Sequence, residues 1–550
     1  MKKILLLLVV YVGIISTTQA GTAAVAMPDR YGAQAARQIL ELDGNAIDAA
    51  VASAFVLAVT SPEAGNIGGG GFMLSRFNGK PAFLDFRERA PQAAQRDMYL
   101  DEEGNFVPSL SLIGGKASGV PGTVRGLQEA HMRYGSLPWK ELLQPAITLA
   151  RDGFAVPGDL AEYAQAKVDE VQGETNFAEH FGALITSPVF KQPELARTLT
   201  LIADDPGQFY QGSIANQIVA QMAKSNGLIS RDDLASYRAV WREPLTVKWR
   251  EYEVISAPPP SSGGVALIQL LLMRDFADSH FRDISHNSPA YIHNLAEIEK
   301  RVYADRAEYL GDPDFVAVSV DALLDPAYLQ RRAAELNPRA ISIGPSVSAG
   351  LESTDTAHFS IVDSKGNAVS ITYTLNWDFG SGVVVEGAGF LMNNEMDDFS
   401  AKAGVPNVYG VIGSDKNAIE PNKRMLSSMT PTILVKDDAI SLVLGTRGGS
   451  TIFTSVFQVI LNLYDYQMSL QAAVNATRFH HQLPEQYLIR HDHRDIPQDT
   501  TAGLEALGYE VEPNSWGDLG DIQAIQRIGP TVQAVSDNRG RGVALVFETE

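Results

Sequence analysis

Cysteine is absent from all 550 residues. A chain without it has no disulfide framework, no thiolate nucleophile or metal ligand, and no lipid-modified cysteine. Positive charge is scarce as well: 44 Lys and Arg stand against 65 Asp and Glu, a net charge of −21. Such a surface repels phosphate backbones and anionic headgroups, so nucleic acid is excluded as a partner. Internal repeats and low-complexity tracts are missing. So are H-E-x-x-H, G-x-S-x-G and, after the glycine run Gly68 to Gly71, the Gly-Lys-Ser/Thr of a phosphate loop.

What is present is a composition, 45% hydrophobic and 20% charged, that buries a large core. The N-terminus has Lys2 and Lys3, an apolar run from Ile4 to Ile15 that is short for a bilayer, and a polar stretch ending in Ala20. That order is the pattern of a secretory signal peptide cleaved after Ala20, so export to the periplasm or beyond is expected. Two alanine-rich helices follow, broken at "DGN", 43 to 45. Asn78-Gly79 between two strand-like runs predicts a tight hairpin, with Arg87 just past its second strand. Residues 125 to 245 and 289 to 309 read as helical, 340 to 355 as a loose surface segment, and strands dominate from there to about 450. Helices and strands come in separate runs, which favours a layered α+β architecture over a doubly wound sheet.

The stretch "STDTAHFS", 353 to 360, raises the chemical question, because a mid-chain alcohol with no base beside it is a poor nucleophile. Downstream, Phe359 and Ile361 alternate with polar residues, "DSKGN" turns the chain, and Val369, Ile371, Tyr373 and Leu375 alternate again. A hairpin centred at Lys365 pairs residues whose numbers sum to 730, which sets Thr356 opposite Thr374, with Asn376 two further on along the same face. Pattern alone also reads these threonines as ordinary residues of a half-buried sheet.

Longer motifs carry a resemblance. "TAHFSIVDSKGNAVSITYTLNWDFGSG", "GFLMNNEMDDFSAKAGVPNVYG", "PNKRMLSSMTPTI" and "GTRGGS" resemble, in order and spacing, the small subunit of the gamma-glutamyltransferases, or glutathione hydrolases. "EAGNIGGGGFML", "DFRERAP", "ASGVPGTVRGL", "PPPSSGGV" and "YADRAEYLGDPDF" resemble the large subunit in the same way. The resemblance implies an N-terminal nucleophile hydrolase with a four-layer αββα sandwich. It further implies a precursor that cuts its own bond between Asp355 and Thr356, after which large (21 to 355) and small (356 to 550) subunits form a heterodimer. The cut gives Thr356 an α-amine, with an ordinary pKa near 8, to serve as its own base.

By the same resemblance Arg87, Ser427 and Ser428 grip the α-carboxylate of a γ-glutamyl donor such as glutathione. Glu395, Asp398 and Asn376 receive its α-ammonium, Thr374 orients the nucleophile, and the N–H groups of Gly448 and Gly449 form the oxyanion hole. Tyr409 belongs to a lid loop, 403 to 424, that cephalosporin acylase-like members lack. The acyl group passes to water, an amino acid or a peptide, and no metal or organic cofactor is needed. Four departures stand out: Ala357 for a second threonine, Glu395 for glutamine, and Arg447 and Met425 for prolines common in bacterial members. Arg447 sets a cation beside the oxyanion hole, a departure that bears on acceptor or donor preference.

Rival readings remain at this stage. His480, His481, His491 and His493, with Asp492 among them, suggest a metal site but lack ligand spacing. A cephalosporin acylase-like amidohydrolase shares the family, and a non-catalytic secreted binding protein on this fold would stay a single uncut chain.

Overall fold

The computed structural model describes residues 21–342, 356–494, 496–515 and 517–549. The proposed signal peptide, Asp355 and all but the first residues of the 340 to 355 segment lie outside the described residues. Strand β1 (Gly21–Met27) leads into helices α1 (Arg30–Glu41) and α2 (Ala46–Thr60). The break expected at "DGN" is built there: Asp43 takes a positive φ of 61° and Asn45 caps α2 in a reciprocal box with Asp48. Every residue of α2 is buried, which its small side chains allow.

The hairpin of β2 (Gly70–Phe77) and β3 (Lys80–Asp85) turns at Asn78-Gly79, both with positive φ, as a two-residue turn requires. Helices then cover 108 to 236 with only a short two-stranded interruption, before β4 (Val240–Arg242), β5 (Leu245–Trp249) and β6 (Tyr252–Ser256). Helices α3 (Gly263–Phe276) and α4 (Pro289–Tyr309) come next, followed by β7 (Ala357–Val362) and β8 (Ala368–Thr374). The remaining main elements are β9 (Thr432–Lys436), β10 (Ala439–Gly445), α5 (Ile452–Tyr464), β11 (Gln523–Ile528), β12 (Thr531–Ser536) and β13 (Val543–Thr549).

One antiparallel sheet has the order β13-β1-β7-β8-β2-β3-β4, the other β12-β11-β10-β9-β6-β5. Three apolar layers hold them. Val25, Met73, Leu84, Ile361 and Ile371 pack under α1 and α2 on the outer face of the first sheet. Phe72, Leu74 and Phe83 meet Ile255, Ile433, Val443 and Ile525 between the sheets. Val254, Leu434 and Leu442 pack under α3, α4 and α5 on the outer face of the second. Each fully buried aliphatic contributes about 2 kcal/mol. The result is the αββα sandwich.

Strands β7 and β8 pair Val362 with Ala368 through to Ala357 with Tyr373, every pair summing to 730. One step further sets Thr374 across from Thr356. Alternate residues of this hairpin face α1 and α2 and are apolar, whereas His358, Ser360, Ser370 and Thr372 make a polar seam against the second sheet. His358 Nδ1 lies 2.8 Å from Thr372 Oγ1, and burial lowers its pKa to about 3, so it is neutral. Ser360 and Ser370 donate to the carbonyls of Gln523 (3.0 Å) and Leu444 (3.1 Å), tying one sheet to the other. A Cβ on Gly445 would lie 2.3 Å from the His358 ring, so glycine permits this approach.

Candidate active site

Thr356 is 4% exposed, at the mouth of β7, and lines a cavity with Thr374, Asn376, Arg87, Glu395, Asp398, Tyr409, Ser427, Ser428 and Gly449. Residues separated by hundreds of positions meet here because β3 and β8 finish, and β7 begins, at the same end of the first sheet. Thr374 Oγ1 accepts the N–H of Asn376 (2.8 Å), and Asn376 takes a positive φ of 82°, turning the chain out of β8. Its side chain donates to the Asn394 carbonyl at 3.1 Å.

Arg87 is wholly buried, and its two terminal nitrogens bind Glu395 and Asp398, the acids expected to receive a substrate ammonium. Its Nε donates to the Met425 carbonyl at 3.4 Å, and Glu88 lies 3.7 Å away. Asp85 instead accepts the Arg87 backbone N–H (2.9 Å), while its carboxylate faces Arg242 (2.8 Å) and Arg424 (3.3 Å). Burial raises Glu395 and Asp398 and pushes Glu88 up to about 7, with Arg87 opposing it in all three.

The sequence reading missed a second cation. Arg306, on α4, lines the same cavity and donates to Ser262 Oγ (3.1 Å) and Ser428 Oγ (3.3 Å). Among the described residues no carboxylate lies within ion-pair distance of it, and burial lowers its pKa. The motif "YADRAEYLGDPDF" held the signal, but helical spacing gave no direction to it.

The turn after β10 places Gly448 at φ 134° and Gly449 at φ 50°, a region that side chains disfavour. The Gly448 carbonyl accepts from both the N–H and Oγ1 of Thr451, each at 2.8 Å. In a trans peptide the Gly449 N–H therefore points the opposite way, away from the helix it precedes. Gly449 lines the cavity; Gly448 stands one residue behind it.

Tyr409 covers the mouth. Its hydroxyl donates to the Asn376 carbonyl (2.5 Å), and the Tyr409 carbonyl accepts from Gln482 Nε2 (3.2 Å). Asp397 accepts the Val408 N–H (2.9 Å) and the Ser111 hydroxyl (2.6 Å), and burial pushes its pKa up to about 7. Beneath this loop the cavity encloses only about 20 Å³, room for a water molecule or so.

The histidine cluster resolves into separate structural contacts. His480 lies 2.9 Å from both Thr454 and Gln482, His481 meets the Leu488 carbonyl (2.9 Å), and His491 and His493 meet the carbonyls of Asp492 and Asn514. Among the described residues no group of three or more His, Asp or Glu is placed to hold a metal ion.

This layered fold and the threonine at its sheet edge are those of an N-terminal nucleophile hydrolase. The gamma-glutamyltranspeptidase family model matches residues 32–547. The glutathione hydrolase proenzyme of Pseudomonas aeruginosa is 57% identical over 96% of this chain and 94% of its own. That of Escherichia coli is 45% identical over 92% and 88%. Among solved structures, a cephalosporin acylase from Bacillus halodurans superposes with a TM-score of 0.83 at 28% identity, covering 96% of both chains. A gamma-glutamyltranspeptidase chain from Pseudomonas nitroreducens, complexed with L-DON, gives a TM-score of 0.57 at 54% identity, covering 57% of this chain and 95% of that one. The chain belongs to the gamma-glutamyltranspeptidase family.

Proposed function

We propose that this protein is an exported, self-processing gamma-glutamyltransferase and glutathione hydrolase. The observation that carries the reading is Thr356 at the rim of a buried cavity holding both charge signs, the arrangement an α-amino acid end demands. Arg87, Ser427 and Ser428 take the α-carboxylate, with Arg306 behind Ser428. Glu395, Asp398 and Asn376 take the α-ammonium. The γ-carbonyl then lies against Thr356 Oγ, held for attack by Thr374, with its developing oxyanion on the N–H groups of Gly448 and Gly449; one such donor contributes about 3 kcal/mol. A glutamyl group exceeds the closed cavity, so binding exchanges ion pairs of Arg87 for pairs with substrate and lifts the Tyr409 loop.

Cleavage before Thr356 yields subunits 21 to 355 and 356 to 550 and frees the α-amine that accepts the hydroxyl proton. Naming of the P. aeruginosa and E. coli relatives as proenzymes supports this, as does the match to a P. nitroreducens chain covering 57% of this one. A leader of residues 1 to 20 rests on the two lysines, the apolar run and Ala20 of the sequence. The glutamyl ester passes to water, an amino acid or a dipeptide.

The acylase reading has a structural neighbour in its favour. However, the acid pair suits a substrate bearing an ammonium, and a loop with Tyr409 closes the mouth. Thr356→Ala should leave one uncut chain on a denaturing gel and lower γ-glutamyl release by more than about a thousandfold. Normal processing or turnover would sink the proposal.

A further inference from the structure

The Tyr409 loop and the oxyanion turn are joined by a chain of hydrogen bonds that avoids both Thr356 and the ion pairs of Arg87. The Tyr409 carbonyl accepts from Gln482 Nε2 at 3.2 Å, Gln482 Oε1 lies 2.9 Å from His480 Nε2, and His480 Nδ1 lies 2.9 Å from Thr454 Oγ1. Thr454 Oγ1 is also 3.0 Å from the Thr451 carbonyl. Thr451 in turn holds the Gly448 carbonyl through its N–H and its hydroxyl. Gln482, His480, Thr454 and Thr451 are all buried.

The protons available fix the direction of every bond in this chain. A carbonyl only accepts, so the amide nitrogen of Gln482 faces Tyr409 and its oxygen faces His480. His480 Nε2 therefore carries the ring hydrogen. Burial lowers the His480 pKa to about 3, so the ring is neutral and Nδ1 is a bare acceptor. It takes the hydroxyl proton of Thr454. That hydroxyl has one proton, and Nδ1 and the Thr451 carbonyl both stand within reach of it. While the loop is shut, the ring holds it.

A glutamyl group lifts the loop, and Gln482 then loses the acceptor that oriented its amide. We propose that Gln482, His480 and Thr454 are positioning residues that couple the Tyr409 loop to the oxyanion turn: the shut loop keeps the Thr454 hydroxyl on His480, and the lifted loop releases it to the Thr451 carbonyl. This inference rests on the glutamyl-transfer reading. In the lifted state the amide turns over and its nitrogen donates to Nε2. Nδ1–H donates to Thr454 Oγ1, and the Thr454 proton goes to Thr451. One proton passes from Nε2 to water and one from water to Nδ1, so the ring is neutral before and after. Thr451 gains a bond just when the turn it holds must meet a developing oxyanion.

The test uses the processed enzyme labelled with nitrogen-15 histidine, and L-glutamate at concentrations that inhibit release of a chromogenic γ-glutamyl anilide. Nitrogen shifts distinguish a ring nitrogen that bears hydrogen from a bare one, and His480→Gln identifies the ring by the signals it removes. The empty native enzyme should carry hydrogen on Nε2, and L-glutamate should move it to Nδ1. Gln482→Met should give the same His480 signals with and without L-glutamate. Thr454→Val should lower kcat for the anilide about tenfold, as loss of one hydrogen bond made in the transition state predicts, with donor KM within about twofold. Thr454→Ser should restore most of that loss. Hydrogen on Nδ1 in the empty enzyme overturns the proposal. So does a native tautomer that L-glutamate leaves unchanged, a Gln482→Met enzyme that still switches, or a Thr454→Val enzyme with undiminished kcat. Should His480→Gln fail to process, the ring signal displaced by Thr454→Val identifies His480 instead. Absence of any anilide release by the native enzyme would count against the glutamyl-transfer reading.

Discussion

Arg478 and Arg87 are both fully buried and both lie between carboxylates, yet their surroundings differ. Around Arg478 two cations meet two anions. Arg478 binds Asp537 and donates to the carbonyls of Leu519 (2.6 Å) and Val474 (3.0 Å), while Arg539 joins Asp492 to Asp537. Backbone N–H groups of Arg478, Leu519, Ile522 and Arg539 complete both carboxylates. Around Arg87 there are three acids, and both oxygens of Glu88 and one of Glu395 have no hydrogen-bond partner. Burial works against the Asp537 carboxylate, but Arg478 and Arg539 hold its pKa below the ordinary value; Glu88 is pushed up to about 7. The first cluster is finished within the protein. The second is left incomplete, as the proposed binding of a charged glutamyl end requires.

Removing each arginine should separate the two most sharply. Arg478→Ala leaves two saturated carboxylates with one of their two cations and should cost roughly 3–5 kcal/mol in urea unfolding. Arg87→Ala should cost less, because its acids relieve themselves by taking up protons, but should raise donor KM roughly a hundredfold. Equal losses of stability would erase the distinction.

pH gives a smaller and opposite pair of effects. Glu88 binds its proton more tightly folded than unfolded, so its cost is absent below about pH 4.5 and complete above about 7. Stability should fall across that window, and Glu88→Gln should flatten the slope measured by urea midpoints. Asp537, held down instead, contributes stability above its ordinary value of 3.8 that is lost on further acidification. Smallest is Tyr409→Phe, which removes the donor that latches the loop to Asn376 over the empty site; because substrate entry lifts that loop, donor KM should fall a few-fold, about 1 kcal/mol. An unchanged KM would show that the loop closes without that bond.

The hairpin register was legible because one turn and strict alternation determine it; pairs summing to 730 follow from Lys365 alone. The layered architecture was legible from its separate runs of helix and strand. The pairing of Arg87 with Glu395 and Asp398 was not, since more than 300 residues separate the partners. Nor was Arg306, one charged residue among several on a helix whose inward direction depends on packing. The four histidines stand close in sequence without ligand spacing, and in the structure each ring meets its own neighbour.

β1 is hydrogen-bonded on one side to β13 and on the other to β7, while β8 pairs with β2 and β9 with β6. Segments before and after residue 356 are thus interlaced in both sheets. A cut at that point severs the chain without loosening it, and the halves part only if the sheets are unzipped. Interlacing of this kind is laid down while the chain is continuous, so the severed molecule keeps a shape that its separated pieces have no direct route to regain.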